Sequence, residues 1–274
     1  MNYRHSFHAG NHTEVFKHSV LVLLLQHLLK KPGWFTVIDS HAGAGIYDLT
    51  SDDATKTGEA LDGIGRIIDG DVPTASAYLE FIRHLNPTDL RRYPGSPVIV
   101  RALLREDDRL IACELRKDDA ALLRRTLRGD RRVAVHCRDG YAAIRAFLPP
   151  RGGRGLVFFD APFERPDELE RLAWALNTGI RKWPTGMFLA WYPIKDRSAA
   201  KRLRANYPSD SPPTLACEFL RDPVDGLRLA GSGLILCNPP WQFDRKLLAL
   251  CKELLTAFDS QKGTYTLDWW IPEI

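Results

Sequence analysis

The sequence predicts an α/β fold: a mostly parallel sheet carrying a small helical insertion after its first strand. Three observations predict it. Short apolar runs at 34–38, 110–114, 133–136 and 156–159 alternate with helical patterns, as strands do in βα units. Each run ends on or just before a carboxylate, in order Asp39, Glu114, Asp139 and Asp160. In open α/β sheets ligands gather beyond the carboxyl ends of the strands, so the last three of these acids, with the glycine loop that follows Asp39, are candidates for one site. The first run also turns through Gly43-Ala-Gly45, where glycine lets the backbone approach a ligand closely.

The 274 residues suffice for one large domain, and 45% hydrophobic with 26% charged residues is ordinary for a soluble globular chain. A net charge of +4 allows a polyanionic partner without requiring one. The five cysteines form no Cys-x-x-Cys pair, which argues for reduced thiols and a cytoplasmic location, and against a disulfide frame or a zinc site. The run Val20-Leu-Val-Leu-Leu-Leu25 is ended by Gln26, His27 and Lys30, far short of a membrane span. His8 and His12 are four apart without a nearby cysteine, and no metal is expected.

In chain order, the opening 3–12 reads as a polar, aromatic loop, and Asn11 caps a buried helix to about residue 30. The first strand and glycine loop follow. Between 48 and 92 the next strand is delayed by two helical patterns, 58–69 and 73–85, placed over the mouth of the site. The domain reading is therefore 1–46 with 93–274, interrupted by the insertion 47–92. Tyr93-Pro-Gly-Ser-Pro97 is a rigid turn presenting a hydroxyl before a helix at 97–104. A helix at 118–127 joins the second and third strands, and a helix at 166–183 follows Asp160. A strand near 187–192 and a basic helix at 196–206 come next. Two extended runs, 214–220 and 233–237, read as a hairpin closing the sheet, before a helix to about 258 and a strand-like run at 264–271.

The stretch Leu156-Val-Phe-Phe-Asp160-Ala-Pro162-Phe163 is the centre of this reading. It delivers a carboxylate and then an aromatic ring to the pocket mouth, a pairing that can hold a flat amino-bearing group. The plainer reading is a strand, a turn and a helix cap. A glycine loop, an acid, an Asp and an Asp-x-Pro-aromatic at successive strand ends is the layout of a Rossmann-like S-adenosylmethionine-dependent methyltransferase.

The chain also resembles the RlmJ-type 23S ribosomal RNA adenine-N6 methyltransferases throughout its length. The resemblance is carried by Tyr3-Arg-His-Ser-Phe-His-Ala-Gly-Asn11, Asp39-Ser-His-Ala-Gly-Ala-Gly45, Thr57-Gly-Glu59, Tyr93-Pro-Gly-Ser-Pro97 and Asn238-Pro-Pro-Trp241. It implies that His18, His41, Ser96, Glu114, Asp139, Gly140 and Asp160 bind the cofactor, with Asp160 as the catalytic carboxylate. It places Tyr3, His5 and Lys17 on the substrate side, joined there by Ala161 and Phe163. The family motif is Asp-Pro-Pro-Tyr, whereas this chain has Asp160-Ala-Pro-Phe163, which keeps the backbone carbonyl and the ring but loses some stiffness.

The implied activity is methyl transfer to an adenine N6 in 23S rRNA by a monomer. Arg91, Arg92, Arg124, Arg125, Lys201 and Arg202 are candidate phosphate contacts, with a solvated helix face as the alternative. A DNA adenine or protein glutamine methyltransferase, and an rRNA-binding assembly factor with weak catalysis, stay open. Asn238-Pro-Pro-Trp241 has the look of a second amino-methyltransferase motif, but it follows a late strand and is expected to be structural or substrate-adjacent.

Overall fold

The computed structural model describes residues 5–273. Its elements in chain order begin with α1 (His12–Leu29), β1 (Thr36–Asp39), β2 (Ile46–Asp48), α2 (Asp52–Thr57), α3 (Glu59–Asp62) and α4 (Ile64–Ile67). Next come α5 (Ser76–Leu85), β3 (Arg92–Pro94), α6 (Ser96–Leu103), β4 (Arg109–Glu114), α7 (Lys117–Thr126), β5 (Val133–Cys137), α8 (Gly140–Phe147) and β6 (Gly155–Phe159). The chain finishes with α9 (Glu168–Lys182), β7 (Met187–Ile194), α10 (Ser198–Ala205), β8 (Thr214–Leu220), β9 (Gly231–Cys237), α11 (Phe243–Ala257) and β10 (Thr264–Ile271).

Eight strands form one sheet in the order β10-β8-β9-β7-β6-β1-β4-β5. The five from β7 to β5 are mutually parallel, and β9, β8 and β10 add antiparallel at the other side. One apolar core packs α1, α5, α6, α7 and α11 on one face, and a second packs α8, α9 and α10 on the other. The chain changes faces between β5 and β6, so the switch point lies where β1 separates β4 from β6. Register fixes what collects there. Asp39 is level with Ala112 of β4 and Phe158 of β6, which leaves Glu114 and Asp160 each two residues further along, on either side of the loop after β1. Glu114 in turn is level with Cys137, which puts Asp139 two residues beyond β5.

Helix α1 is buried on nearly every side, not merely along an apolar stripe. Its second half is the run Val20 to Leu25, all core. Its first half buries Glu14, Lys17, His18 and Ser19, polar groups that need internal partners. Asn11 starts it as expected, its Oδ1 accepting from the N–H groups of Thr13 (3.0 Å) and Glu14 (2.9 Å).

Several expected elements are corrected. The opening carries a short 3₁₀ turn at His5–Phe7 in place of a plain loop. The helical pattern at 58–69 is two short turns, α3 and α4, broken at Gly63. A Cβ there would meet the Gly10 carbonyl oxygen at 2.1 Å, so glycine permits the close crossing. Helix α2 and the two-stranded ribbon β2–β3 were not anticipated, and the ribbon, pairing Tyr47 with Tyr93, closes the base of the 46–94 excursion. Helix α8 was also missed; its eight residues follow Asp139, which caps it.

Candidate active site

Asp160 leaves the end of β6 and meets Lys17, which points up from the buried first half of α1. The Lys17 ammonium lies 2.7 Å from Oδ1 and 2.6 Å from Oδ2 of Asp160, and it also pairs with Glu14 one turn earlier on its own helix. Glu14 is further bound to His5 Nε2 at 3.0 Å. Two carboxylates and one ammonium thus share one buried site. Burial would lower the Lys17 pKa, but Asp160 and Glu14 outweigh it and hold it above its ordinary value. Burial pushes the Asp160 carboxyl up, opposed by Lys17 and reinforced by Glu14. Burial also acts to raise Glu14, yet Lys17 and His5 prevail and keep it well below the usual range.

Aromatic rings wall this cluster. Lys17 Nζ sits 4.7 Å from the centre of the Trp191 ring, a cation–π contact, and Phe163 meets Trp191 edge-on at 5.7 Å. Trp191 is itself fixed by its indole N–H, which donates to Ser232 at 2.9 Å. Phe163 has φ +51°, the left-handed region that a bulky residue rarely adopts. Ala161, before it, is buried.

The remaining expected residues line the same cavity of about 1410 Å³. Glu114 accepts from Arg116 N–H at 2.7 Å through one oxygen and from Gly43 N–H at 2.9 Å through the other, so it braces the glycine loop. Burial raises its pKa against those two bonds. Asp139 caps α8 through Oδ1, bound to the N–H groups of Tyr141 (2.9 Å) and Ala142 (3.2 Å), while Oδ2 takes Arg171 at 2.6 Å. Gly140 is the first residue of α8. A Cβ on it would stand 1.7 Å from the Ser40 carbonyl oxygen, so only glycine lets this helix close on the loop after β1.

His41 in that loop bonds Ser40 Oγ at 2.8 Å, packs edge-on against Tyr141, and is held neutral by burial, its pKa lowered to about 4. Ser96 starts α6 and donates its hydroxyl proton to Asp39 Oδ2 at 2.7 Å, which leaves Ser96 Oγ with lone pairs alone for the cavity. His18 is also buried and neutral, lowered to about 3.

The structure therefore brings His5, Lys17, His18, His41, Ser96, Glu114, Asp139, Gly140, Asp160, Ala161 and Phe163 to one cavity wall. Tyr3 lies outside the described residues. Glu14, His18 and Asp160 offer ligand atoms within 4.8 Å of one another, but the Lys17 ammonium bound to Glu14 and Asp160 already supplies the positive charge there.

The fully covered chain is similar to two curated proteins. Both are named Ribosomal RNA large subunit methyltransferase J, from Haemophilus influenzae and from Escherichia coli K12, each 37% identical with the whole of both chains covered. The family model described as "Ribosomal RNA large subunit methyltransferase D, RlmJ" matches residues 32–271. The chain belongs to this family. Among solved structures, a protein from Legionella pneumophila superposes with a TM-score of 0.89 at 29% identity, covering 96% of this chain and 98% of that one. A probable spermidine synthase from Corynebacterium glutamicum, 14% identical with a TM-score of 0.50 over 92% of this chain and 73% of its own, shares the fold alone.

Several residues around this cluster are not marked by the sequence pattern. Glu14 and Trp191 lie inside helix and strand patterns that looked like core, and only the fold shows that they meet Lys17. Asp39 was visible as a strand-ending acid, though its bond to Ser96 was not. Of the six basic candidates for phosphate contacts only Arg202 lines the cavity, where it pairs with Glu170; Arg91 pairs with Asp89, and Arg92, Arg124, Arg125 and Lys201 are exposed elsewhere. The cavity rim instead carries Arg165, Lys195, Arg221 and Arg228.

The second motif, Asn238-Pro-Pro-Trp241, has a structural role. Strand β9 runs antiparallel to β7, so Asn238 emerges at the opposite end of the strands from Asp160. Its carboxamide donates to the carbonyls of Pro184 (2.8 Å) and Gly186 (2.7 Å), tying down the start of β7.

Proposed function

We propose that this chain transfers a methyl group from S-adenosylmethionine to the N6 amine of an adenine in 23S rRNA, acting as a cytoplasmic monomer. The observation that carries the proposal is the buried Asp160–Lys17 pair at the switch point, in a chain that matches its family over nearly its full length. The cavity, about 1410 Å³, exceeds what one drug-sized ligand needs and has room for a nucleoside-like cofactor beside an extruded base. The donor and acceptor set fits the cofactor. Glu114 and Asp139 stand where a ribose and an adenine amine would reach them, Gly140 clears their approach, and Ser96 Oγ offers lone pairs to an ammonium group. His18 and His41 are neutral and add no like charge. When bound, the cofactor supplies an electrophilic methyl group on a sulfonium.

The chain's own residues then have two tasks. Asp160 and the Ala161 carbonyl accept the two N–H bonds of the target amine, which favours a pyramidal nitrogen with its lone pair directed outward. Lys17 spans both Asp160 oxygens and holds the carboxylate as an acceptor, and each oxygen keeps a further lone pair for the amine. Phe163, braced edge-on by Trp191, offers its face to the base, and His5 joins the substrate side through Glu14. Asp160 needs no raised pKa, because a methylated cationic amine sheds its proton readily. Rate comes from positioning and electrostatics in a dry site. Residues 47–92, folded against the opening segment by Glu59 (bonded to His8 and Asn11) and by Thr57, form the insertion beside which RNA arrives.

The test is methyl transfer to unmodified 23S rRNA, tRNA, DNA and a glutamine peptide, read by nucleoside and peptide mass spectrometry. N6-methyladenine in 23S rRNA alone is expected. Product in DNA or peptide instead would overturn the substrate assignment, and binding of 23S rRNA without any transfer would favour the assembly-factor reading.

A further inference from the structure

Three buried polar side chains stand in a row, and the methyl-transfer reading leaves two of them, Tyr78 and Tyr93, unused. Tyr78 on α5 and Tyr93 on β3 are fully buried, with their hydroxyl oxygens 2.8 Å apart. The Tyr93 hydroxyl is also 2.9 Å from Nδ1 of His18 on α1, and the two rings stack at 5.7 Å. Burial raises the pKa of both phenols, so each keeps its proton, and His18 is neutral, so it carries one N–H.

Counting protons decides the direction of the row. Two hydroxyl protons and one imidazole proton serve two bonds. If Tyr78 donates to Tyr93 and Tyr93 donates to Nδ1, both hydroxyl protons are used inside the protein. If Nδ1–H donates to Tyr93 instead, one bond remains for two hydroxyl protons, and whichever tyrosine donates in it, the other's proton is left without an acceptor among the described residues. An unmet donor at a site closed to water is costly, so the first arrangement wins. The remaining imidazole proton is then on Nε2, the nitrogen left for the cavity that His18 lines.

We infer that the Tyr78–Tyr93 hydroxyl pair is a positioning device that locks His18 as its Nε2–H tautomer, making it a neutral hydrogen-bond donor toward an acceptor on the cofactor. The inference rests on the cofactor reading above for its ligand, but not for the tautomer itself. It joins α5, outside the main sheet, to the cofactor pocket through side-chain bonds, so the segment between β2 and β3 helps to set what His18 can bind. A mirror arrangement, with Nδ1–H and a bare Nε2, would present an acceptor and repel the same ligand atom.

The experiment is long-range ¹H–¹⁵N imidazole NMR on the ligand-free protein, with His18 assigned by the loss of its signals in His18→Asn. A protonated Nε2 and a bare Nδ1 are expected in the wild type. Because Tyr93→Phe orphans the Tyr78 hydroxyl and can fail to fold, the companion is Tyr78→Phe/Tyr93→Phe, which removes both hydroxyls and leaves none unmet. In this variant His18 should populate both tautomers, and calorimetry with S-adenosylhomocysteine should show affinity weakened by roughly 3- to 10-fold, the loss expected from one misplaced hydrogen bond. An Nδ1–H tautomer in the wild type, or an unchanged tautomer and affinity in the double variant, overturns the inference. If S-adenosylhomocysteine fails to bind the wild type, the cofactor reading falls while the tautomer signal still decides this one.

Discussion

Lys17 and Asp160, 143 residues apart in sequence, form one bidentate ion pair, with the ammonium 2.7 Å and 2.6 Å from the two carboxylate oxygens. With Glu14 on the other side, the ammonium bridges two buried acids. Lys17→Met keeps the stem and removes that charge. Breaking a buried pair from one side costs roughly 3–5 kcal/mol, because the stranded charges stay desolvated. With the lysine gone, both acids have folded-state pKa values above their unfolded ones. Stability is then present below about pH 4, where unfolded carboxylates are protonated, and is lost as pH rises. Urea unfolding should show a larger penalty for Lys17→Met at pH 8 than at pH 5, and equal penalties would refute the charge-pairing account.

Asp160→Asn tests the chemistry with little change of shape. The amide keeps one acceptor oxygen but sets an NH₂ group toward Lys17 or toward the incoming amine. Single-turnover methyl transfer should fall at least roughly a hundredfold, the scale of losing a positioned electrostatic contact. S-adenosylhomocysteine binding should change far less. A rate within a few-fold of wild type would remove Asp160 from the catalytic role.

Asp39 makes a prediction about pH. It is fully buried, and burial raises its pKa to about 7, the Ser96 hydrogen bond pulling the other way. The folded protein thus holds a proton that the unfolded chain releases near pH 4. Stability from this group is present below about pH 4 and is lost as pH rises toward 7. Over that window the loss amounts to roughly 4 kcal/mol at about 1.4 kcal/mol per unit. Asp39→Asn should flatten this fall, becoming more stable relative to wild type at pH 8 than at pH 5. Parallel stability curves for the two proteins would show that Asp39 does not titrate in this range.

Much of this was legible because the sheet is written in short runs. A buried parallel strand is a short apolar run, and the polar residue at or just past its carboxyl end can face the cavity, so Glu114, Asp139 and Asp160 declared themselves; Asp39 also stops its strand, but it is fully buried against Ser96 and does not line the cavity. Asn11 announced α1 through cap chemistry. What stayed hidden depends on distant partners. Glu14 and Lys17 sit three apart on a helix, and their spacing alone reads as a local surface pair. Only the packing of α1 against the sheet reveals that Asp160 completes them. The pattern at 58–69 suggested a continuous helix because its periodicity survives the break at Gly63, which is imposed by the Gly10 backbone crossing above it. Helix α8 is hidden because Asp139 at a strand end reads as a ligand-facing acid, which masks the cap it also forms.

Gly140→Ala probes the contact between α8 and the loop after β1. In a free helix alanine is better than glycine by about 1 kcal/mol. Here its Cβ would sit 1.7 Å from the Ser40 carbonyl oxygen, an approach that backbone must yield to. The variant should lose roughly 1–3 kcal/mol of stability by overpacking and bind S-adenosylhomocysteine more weakly, since Asp139 and His41 flank the displaced contact. Gly33→Ala, where a Cβ meets nothing within 4 Å, is the control and should match wild type in both measurements. Equal behaviour of the two variants would mean that the loop yields freely and that the close approach does not shape the pocket.

Ala161 is where this chain departs from the Asp-Pro-Pro-Tyr pattern of the family it resembles. Its N–H donates to no backbone carbonyl among the described residues, so a proline there would break no ladder bond. Pro162 already biases Ala161 toward extended backbone by clashing with the helical alternative, which leaves φ as the freedom that a second proline would remove. Pre-setting a compatible φ is worth about 0.4–1 kcal/mol, or roughly two- to five-fold. Ala161→Pro should therefore raise the single-turnover rate on protein-free 23S rRNA by no more than that, with S-adenosylhomocysteine affinity nearly unchanged, because the Ala161 carbonyl faces the target amine in the proposed mechanism. Transfer that is absent in the wild type and appears with proline would show that stiffness counts for more than the retained carbonyl. Transfer that is present in the wild type and lost with proline would point to Phe163. Its left-handed φ of +51° is part of the same turn, and a turn committed to that geometry by the Trp191 contact would reject a second fixed torsion two residues earlier.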